Sequence, residues 1–237
     1  MYLCAEKVED MHSDSFQFQQ FTVWHDRCAM KVGTDGVLLG AWCKVAGACR
    51  VLDVGTGSGL IALMVAQRNP MAHVLGIDVD GDAVSQAADN FRLSPFADRL
   101  VACEADFRQF TAEEPFDLIV SNPPFYVEDT YAADSRRQLA RSAANLPFDL
   151  LIARAVSLLD RMGLFSLVVP FSAVSDMVLL AAAHGLYLGR RCDVKSSAGK
   201  PPKRSLLEFS FQLVSTETEQ MTIGEEAYKE LVKCFYL

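Results

Sequence analysis

Residues Val51 to Arg68, VLDVGTGSGLIALMVAQR, constrain the fold more than any other stretch of this chain. Val51, Leu52 and Val54 form a short apolar, β-branched run, and Leu60, Ile61, Leu63, Met64, Val65 and Ala66 follow as an apolar helix pattern. Between them stands GTGSG, so the reading is strand, tight loop, helix. Gly55, Gly57 and Gly59 let the chain turn at little steric cost and let a ligand touch bare backbone, while the helix that follows presents free N–H groups. A parallel α/β sheet with a nucleotide-like ligand at the carboxyl ends of its strands is the expected outcome.

The spacing and the later acids narrow the ligand. A dinucleotide fingerprint runs G-x-G-x-x-G, whereas here Leu60 follows Gly59 and the pattern is G-x-G-x-G, which disfavours NAD. Asp78, at the end of the next strand in HVLGIDVD, is placed to accept from both hydroxyls of a ribose, a role that serves any adenosine ligand. Asp106 and Phe107 follow another apolar strand, Leu100 to Cys103, and bring a carboxylate and an aromatic ring to the same sheet edge. Over roughly residues 50 to 170 these features together resemble the class I S-adenosylmethionine-dependent methyltransferases. The resemblance implies S-adenosylmethionine as cofactor, with Asp53 near its methionine end, Asp78 at the ribose and Asp106 at the adenine.

SNPPF, Ser121 to Phe125, carries the chemistry. FDLIV, Phe116 to Val120, reads as a buried strand, and Pro123 and Pro124 fix the backbone at its end. An exocyclic amine on a purine is a poor nucleophile because its lone pair is delocalised into the ring. Two acceptors, Asn122 Oδ1 and the Pro123 carbonyl, can hold its hydrogens and aim the lone pair at a methyl donor. Phe125 offers a face on which a planar base can stack. The run Asn122, Pro123, Pro124, Phe125 matches position by position the [D/N/S]-P-P-[Y/F/W] motif of the amino methyltransferases, whose substrates include adenine N6, guanine N2, cytosine N4 and the side-chain amide of glutamine. Phe in place of the commoner Tyr leaves the choice of amine open.

The N-terminal phrase narrows that choice. In FQFQQFTVWHDRCAMKVGTDGVLLGAW, Phe16 to Trp42, the aromatic spacing of Phe16, Phe18 and Phe21 is strand-like, and TDG opens an apolar helix with Thr34 or Asp35 as its cap. On physical grounds alone this is an accessory hairpin and helix over one end of the sheet. The phrase as a whole, through Phe18, Lys31, Gly33, Thr34, Asp35 and Gly36, is similar to the opening of the bacterial tRNA1(Val) (adenine-N6) methyltransferases, which modify adenosine 37 in the anticodon loop. With KPPKRSLLEF (Lys200 to Phe209) and FYL (Phe235 to Leu237) the resemblance covers nearly the whole chain beyond residue 15. It implies a tRNA substrate. Guanine-N2 methylation of rRNA and methylation of a protein glutamine remain the enzymatic alternatives. A non-catalytic module for RNA or S-adenosylmethionine would leave the Asn122 motif idle, and a dinucleotide oxidoreductase is opposed by Leu60.

The remaining residues set the frame. The 237 residues, 51% hydrophobic, fit one α/β domain: a tail over 1–15, a hairpin and helix extension over 16–45, and the methyltransferase-like domain over 46–237. Strand and helix signals alternate from His73 to Val214. The last two strands flank a loop containing SAGKPP that is too short for a crossover helix, which suggests an antiparallel hairpin at the end of a doubly wound, mostly parallel sheet; the resemblance implies that this sheet has seven strands. The stretch Glu225 to Phe235 reads as a helical tail packed on the core. No apolar run reaches membrane-spanning length and the first residues are acidic, so a cytoplasmic protein is expected, with no stable protein partner implied. Seven cysteines without a C-x-x-C pair signal neither a disulfide framework nor a metal site and read as reduced, mostly core thiols. A net charge of −8 sits awkwardly with an RNA substrate. The segment Arg190 to Arg204, however, sets six cations against Asp193 alone, a local net of +5, and Arg136, Arg137 and Arg141 form a second cluster. Both are expected to rim the sheet edge, with Lys200, Lys203 and Arg204 holding the RNA backbone.

Overall fold

The computed structural model describes residues 14–28, 30–123 and 146–237. Pro124, Phe125, the cluster of Arg136, Arg137 and Arg141, and Cys4 therefore lie outside the described residues.

The glycine segment folds as read. Strand β3 (Arg50–Val54) runs into the GTGSG loop and then into α2 (Leu60–Arg68), every residue of which from Leu60 to Ala66 is buried. Before it come a two-stranded hairpin, β1 (Ser15–Gln17) with β2 (Thr22–Trp24), and the helix α1 (Thr34–Trp42). After it follow β4 (His73–Asp78), α3 (Gly81–Leu93), β5 (Leu100–Glu104), β6 (Phe116–Ser121), α4 (Phe148–Leu158), β7 (Leu159–Pro170), α5 (Val174–Ala183), β8 (Tyr187–Lys195), β9 (Pro202–Ser210), β10 (Glu217–Thr222) and α6 (Glu226–Val232).

Among the described residues the main sheet has eight strands in the order β10-β8-β9-β7-β6-β3-β4-β5. Strands β7, β6, β3, β4 and β5 are parallel, and β9 is antiparallel to both β7 and β8, as the short loop requires. The chain winds outward from β3 through β4 to β5 and then returns to β6 on the other side of β3. The β3/β6 junction is thus the switch point outside which open α/β sheets hold their ligands.

Side chains alternate across this sheet with the strand period of two. Val51, Leu118, Val120, Val168 and Leu206 face a core shared with α1, α2 and α3, while Leu52, Ile119, Leu167, Val169 and Leu207 face a second core under α4 and α5. Phe18, Phe21 and Val23 of the hairpin belong to the first core, as do Val232 and the fully buried Phe235, so the extension and the C-terminal helix are both built into it. The hairpin is also tied to the chain's last residues. Gln19 N donates to the Phe235 carbonyl (2.8 Å), its side-chain amide donates to the carbonyls of Lys233 and Tyr236, and the Phe18 and Tyr236 rings stack at 6.0 Å.

Two expectations are corrected. The sheet has an eighth strand, because β10 pairs in parallel with β8. Its sequence, ETEQMT, carries almost no apolar signal, and only Met221 is buried. Backbone pairing and the bond from Trp42 Nε1 to Glu219 Oε1 (2.7 Å) hold it in place, and it covers what would otherwise be an open edge. The cysteines are also less buried than expected. Cys43 and Cys192 are core residues, but Cys49, Cys103 and Cys234 are exposed, Cys103 because it lies on the sheet's other edge strand.

Close packing at Gly59 makes a test of the loop. Its φ is +81°, and a Cβ there would lie 2.4 Å from Phe91 Cε1 and 3.3 Å from Ala87 Cβ. Gly59→Ala combines left-handed strain with overpacking and is expected to cost about 3 kcal/mol, lowering the thermal midpoint by roughly 6–12 °C. An unchanged melting curve contradicts the packing described.

Candidate active site

The glycine loop and Asn122 leave the sheet side by side. Val54 is paired with Ser121 in the β3/β6 register, and the buried Ser121 hydroxyl donates to the Val54 carbonyl at 2.9 Å. The next residues are Gly55 on one strand and Asn122 on the other. Gly55 N and Thr56 N both donate to the Ile77 carbonyl, at 2.9 and 3.0 Å, which folds the loop over the end of β4. Gly55 (φ +72°) and Gly57 (φ +53°) have nothing within 4 Å of where a Cβ would be, so their backbone faces open space. This is the bare surface a ligand needs.

The carboxylates stand in strand order along the same edge. Asp53, at the end of β3, is fully buried. Its Oδ2 accepts from the Thr56 hydroxyl at 2.8 Å, and its Oδ1 has no hydrogen-bond partner. Burial raises its pKa to about 7, against smaller lowerings by the Thr56 hydroxyl and the nearby Ala62 backbone amide. Asp78, on β4, takes Gly57 N at 2.9 Å and Asp80 N at 3.1 Å; burial raises its pKa, and those amides oppose the rise. A carboxylate has about four acceptor positions, so these amides leave capacity for an outside donor. Asp106 follows β5, and Arg108 already grips it. The guanidinium Nε lies 2.8 Å from both carboxylate oxygens and the Arg108 amide donates to Oδ1 at 2.9 Å, which holds the Asp106 pKa below its ordinary value. Phe107 is packed in the second core at 4% exposure, so it backs this loop from below and presents no open ring face.

Several residues that no sequence signal marked hold this arrangement. Asn90, completely buried in α3, receives Trp24 N (3.0 Å) and donates to the carbonyls of Trp24 and Ser58 (2.8 Å each), so it couples β2 to the glycine loop. Beyond β2, Arg27 N reaches Gln86 Oε1 at 3.2 Å, and burial with the nearby Asp78 and Asp80 carboxylates pushes the Cys28 thiol up to about 12. The segment after the hairpin thus passes beside the Asp78 region. Arg154 of α4 donates to the Phe107 carbonyl at 3.3 Å and to that of Phe110, fixing the loop that carries Asp106. Thr56 and Ser121 were in view as parts of motifs, but an Asn or Arg whose partners are remote carbonyls leaves no pattern in a sequence.

The basic segment is less available than its composition implies. Arg190 pairs with the buried Glu208 (3.2 Å) and lies 4.3 Å from the Trp42 ring, Arg191 pairs with Asp193 (2.8 Å), and Arg204 pairs with Asp35 (2.8 Å). Lys200 and Lys203, at the tip of the β8/β9 hairpin, are exposed. Among the described residues no group of His, Cys, Asp and Glu is arranged to hold a metal ion, and no helix is long and apolar enough to cross a membrane.

Known proteins share this architecture and much of this sequence. A family model described as the methyltransferase small domain matches residues 37–148. The chain is 42% identical to a tRNA1(Val) (adenine(37)-N6)-methyltransferase of Bacteroides thetaiotaomicron, over 96% of this chain and 99% of that protein. It is 44% identical to one of Tolumonas auensis, over 91% of each chain. Among solved structures, a predicted O-methyltransferase from Agrobacterium tumefaciens superposes with a TM-score of 0.63 over 84% of this chain and 94% of that one, at 20% identity. The methyltransferase CcbJ from Streptomyces caelestis gives 0.56 over 78% and 95%, at 12% identity. These two show the fold, a Rossmann-like class I methyltransferase sheet. Identity above 40% across nearly the full length shows more: the chain belongs to the tRNA1(Val) (adenine(37)-N6)-methyltransferase family.

Proposed function

We propose that this protein transfers a methyl group from S-adenosylmethionine to N6 of adenosine 37 in the anticodon loop of a valine tRNA, as a cytoplasmic enzyme with no stable protein partner. One observation carries the reading: Asn122 and the open glycine loop emerge from adjacent, mutually bonded strand ends. The names of the relatives supply the particular base and tRNA.

The residues present fit the cofactor. Asp53 keeps an unpartnered, buried oxygen suited to an ammonium, the backbone at Gly55 and Gly57 is open, and Asp78 retains acceptor capacity for ribose hydroxyls. In this reading Asp106 meets the adenine amine, and Arg108, 43% exposed, yields one of its contacts for that bond to form. When bound, S-adenosylmethionine supplies an electrophilic methyl group on a sulfonium centre.

The protein's own task is positioning. Asn122 Oδ1 and the Pro123 carbonyl accept the two hydrogens of the target amine, which draws its lone pair out of the ring plane's conjugation and toward the donor. Pro123 is buried and conformationally fixed, so its carbonyl keeps its aim. A strong general base is unnecessary, because the nitrogen becomes acidic once it has been methylated and its proton passes to water. Pro124 and Phe125 lie outside the described residues; their place in the motif assigns Phe125 the stacking of the extruded base. Lys200 and Lys203 meet phosphates.

Three outcomes are expected. Asn122→Ala lowers kcat about 10²- to 10³-fold with cofactor affinity nearly unchanged, whereas Asp78→Ala raises the cofactor Kd by about tenfold or more. Labelled-methyl transfer to tRNA from cells lacking the enzyme, followed by nucleoside analysis, measures the first and identifies the base; full activity in the Asn122 variant refutes the amine-holding role. Replacing Lys200 and Lys203 together by Ala weakens tRNA binding and reduces the slope of log K against log salt by roughly 1.5–2, read by filter binding across salt concentrations. An unaltered slope removes these lysines from the interface.

The third outcome concerns pH. Asp53 titrates at about 7 in the folded protein, above its ordinary 3.8, so the folded state binds the extra proton between those values. The stability it contributes is present below about pH 4 and is lost as pH rises through about 7. Urea unfolding of the cofactor-free protein from pH 4 to 8 should show this decline in the wild type and a flatter profile in Asp53→Asn. Parallel profiles count against a buried, neutral Asp53.

A further inference from the structure

The first turn of α1 is wedged into the site. A Cβ at Gly36 would lie 3.1 Å from Leu60 Cδ2, where α2 leaves the glycine loop, and 3.9 Å from Asn122 Nδ2. One turn further on, a Cβ at Gly40 would lie 2.7 Å from Met64 Sδ, so α1 is seated against α2 along its glycine side. Yet the start of this helix is weakly fastened by local means. Its N-cap is Gly33, which offers no side-chain cap, and Lys31, Gly33 and Thr34 are exposed. Its tether comes from β9, two strands from β6 in the sheet: Asp35 Oδ2 receives Arg204 Nε at 2.8 Å, and Arg204 is paired with Pro170 at the end of β7, the strand next to β6. Both side chains are about two-thirds covered, at 31% and 37% exposure, so the pair is better shielded than an ordinary surface bridge.

We propose that the Asp35–Arg204 pair is a positioning device for methyl transfer, holding the first turn of α1 beside Asn122 and thereby fixing the amide that grips the target amine. Arg204 then acts within the protein, separately from the phosphate contacts of Lys200 and Lys203. The two segments that brought the chain's ends into the family resemblance, TDG and KPPKR, are on this account two halves of one contact. The inference rests on Asn122 being the amine-holding residue.

The test uses the full-length enzyme with Asp35→Asn, Arg204→Gln and the exchanged pair Asp35→Arg/Arg204→Asp, assayed for methyl transfer, tRNA binding at several salt concentrations and cofactor binding. Each single variant is expected to lower kcat at least tenfold while the Kd for tRNA and for cofactor stay within about threefold, and the exchanged pair is expected to recover a substantial part of the loss. Circular dichroism melting identifies any variant that fails to fold. For such a variant, Arg204→Lys, which keeps the charge, replaces it and is expected to retain more activity than a folded Arg204→Gln or Asp35→Asn. If Arg204→Gln weakens tRNA binding, lowers the salt slope by about one and leaves kcat intact, Arg204 is a phosphate contact and the proposal falls. It falls equally if Asp35→Asn has wild-type kcat. Failure of the underlying reading looks different: Asn122→Ala would then remain active, whatever the Asp35 and Arg204 variants do.

Discussion

The bond between neighbouring strand ends at the centre of the sheet governs everything built on this fold. Parallel pairing of β3 with β6 brings Val54 and Ser121 level, and the Ser121 hydroxyl closes the gap by donating to the Val54 carbonyl. One strand then becomes the glycine loop and the other carries Asn122, the two groups to which the proposed function gives the cofactor and the target amine. Their separation is set by the spacing of adjacent strands, roughly 4.8 Å, and by no flexible element. A transfer reaction between two bound molecules gains most from such fixed geometry, since the entropy of bringing the partners together is met before the chemistry starts.

Around that pair the protein places its acids in very different surroundings. Asp53 is dry and half-partnered, Asp78 is held by two backbone amides, and Asp106 is saturated by its own neighbour Arg108. The first two are raised by desolvation and the third is lowered by ion pairing, so three residues of one type offer a cofactor three different electrostatic environments. Arg108 thus takes up acceptor capacity that Asp106 would otherwise present to the outside.

Much of this was legible in the residues. Strand, glycine loop and helix could be read because apolar periodicity and three glycines are local signals, and Asp78 and Asn122 because they stand at the ends of apolar runs. β10 was missed for the opposite reason: it is a strand by virtue of backbone pairing to β8, and its side chains remain in solvent. Charge misled in a comparable way. The cluster from Arg190 to Arg204 looked largely available, but three of its arginines are engaged: by Asp193 within it, by Glu208 on the adjacent strand, and by Asp35 from a distant segment. Asn90 and Arg154 could not be read at all, since their partners are carbonyls 32 and 44 or more residues away.

The fastening of the β1/β2 hairpin to the chain's last turn has a consequence for how the molecule comes into being. Gln19 and Phe18 find their partners at residues 233–236, more than 210 positions later. During synthesis the hairpin can dock on α3 and Phe96, but the side of it that Phe18 and Gln19 present to residues 233–236 stays uncovered until the end of the chain emerges. The last part of the hairpin's seat is therefore completed late on the ribosome, and a chain truncated before residue 233 would leave Phe18 and Gln19 without these partners.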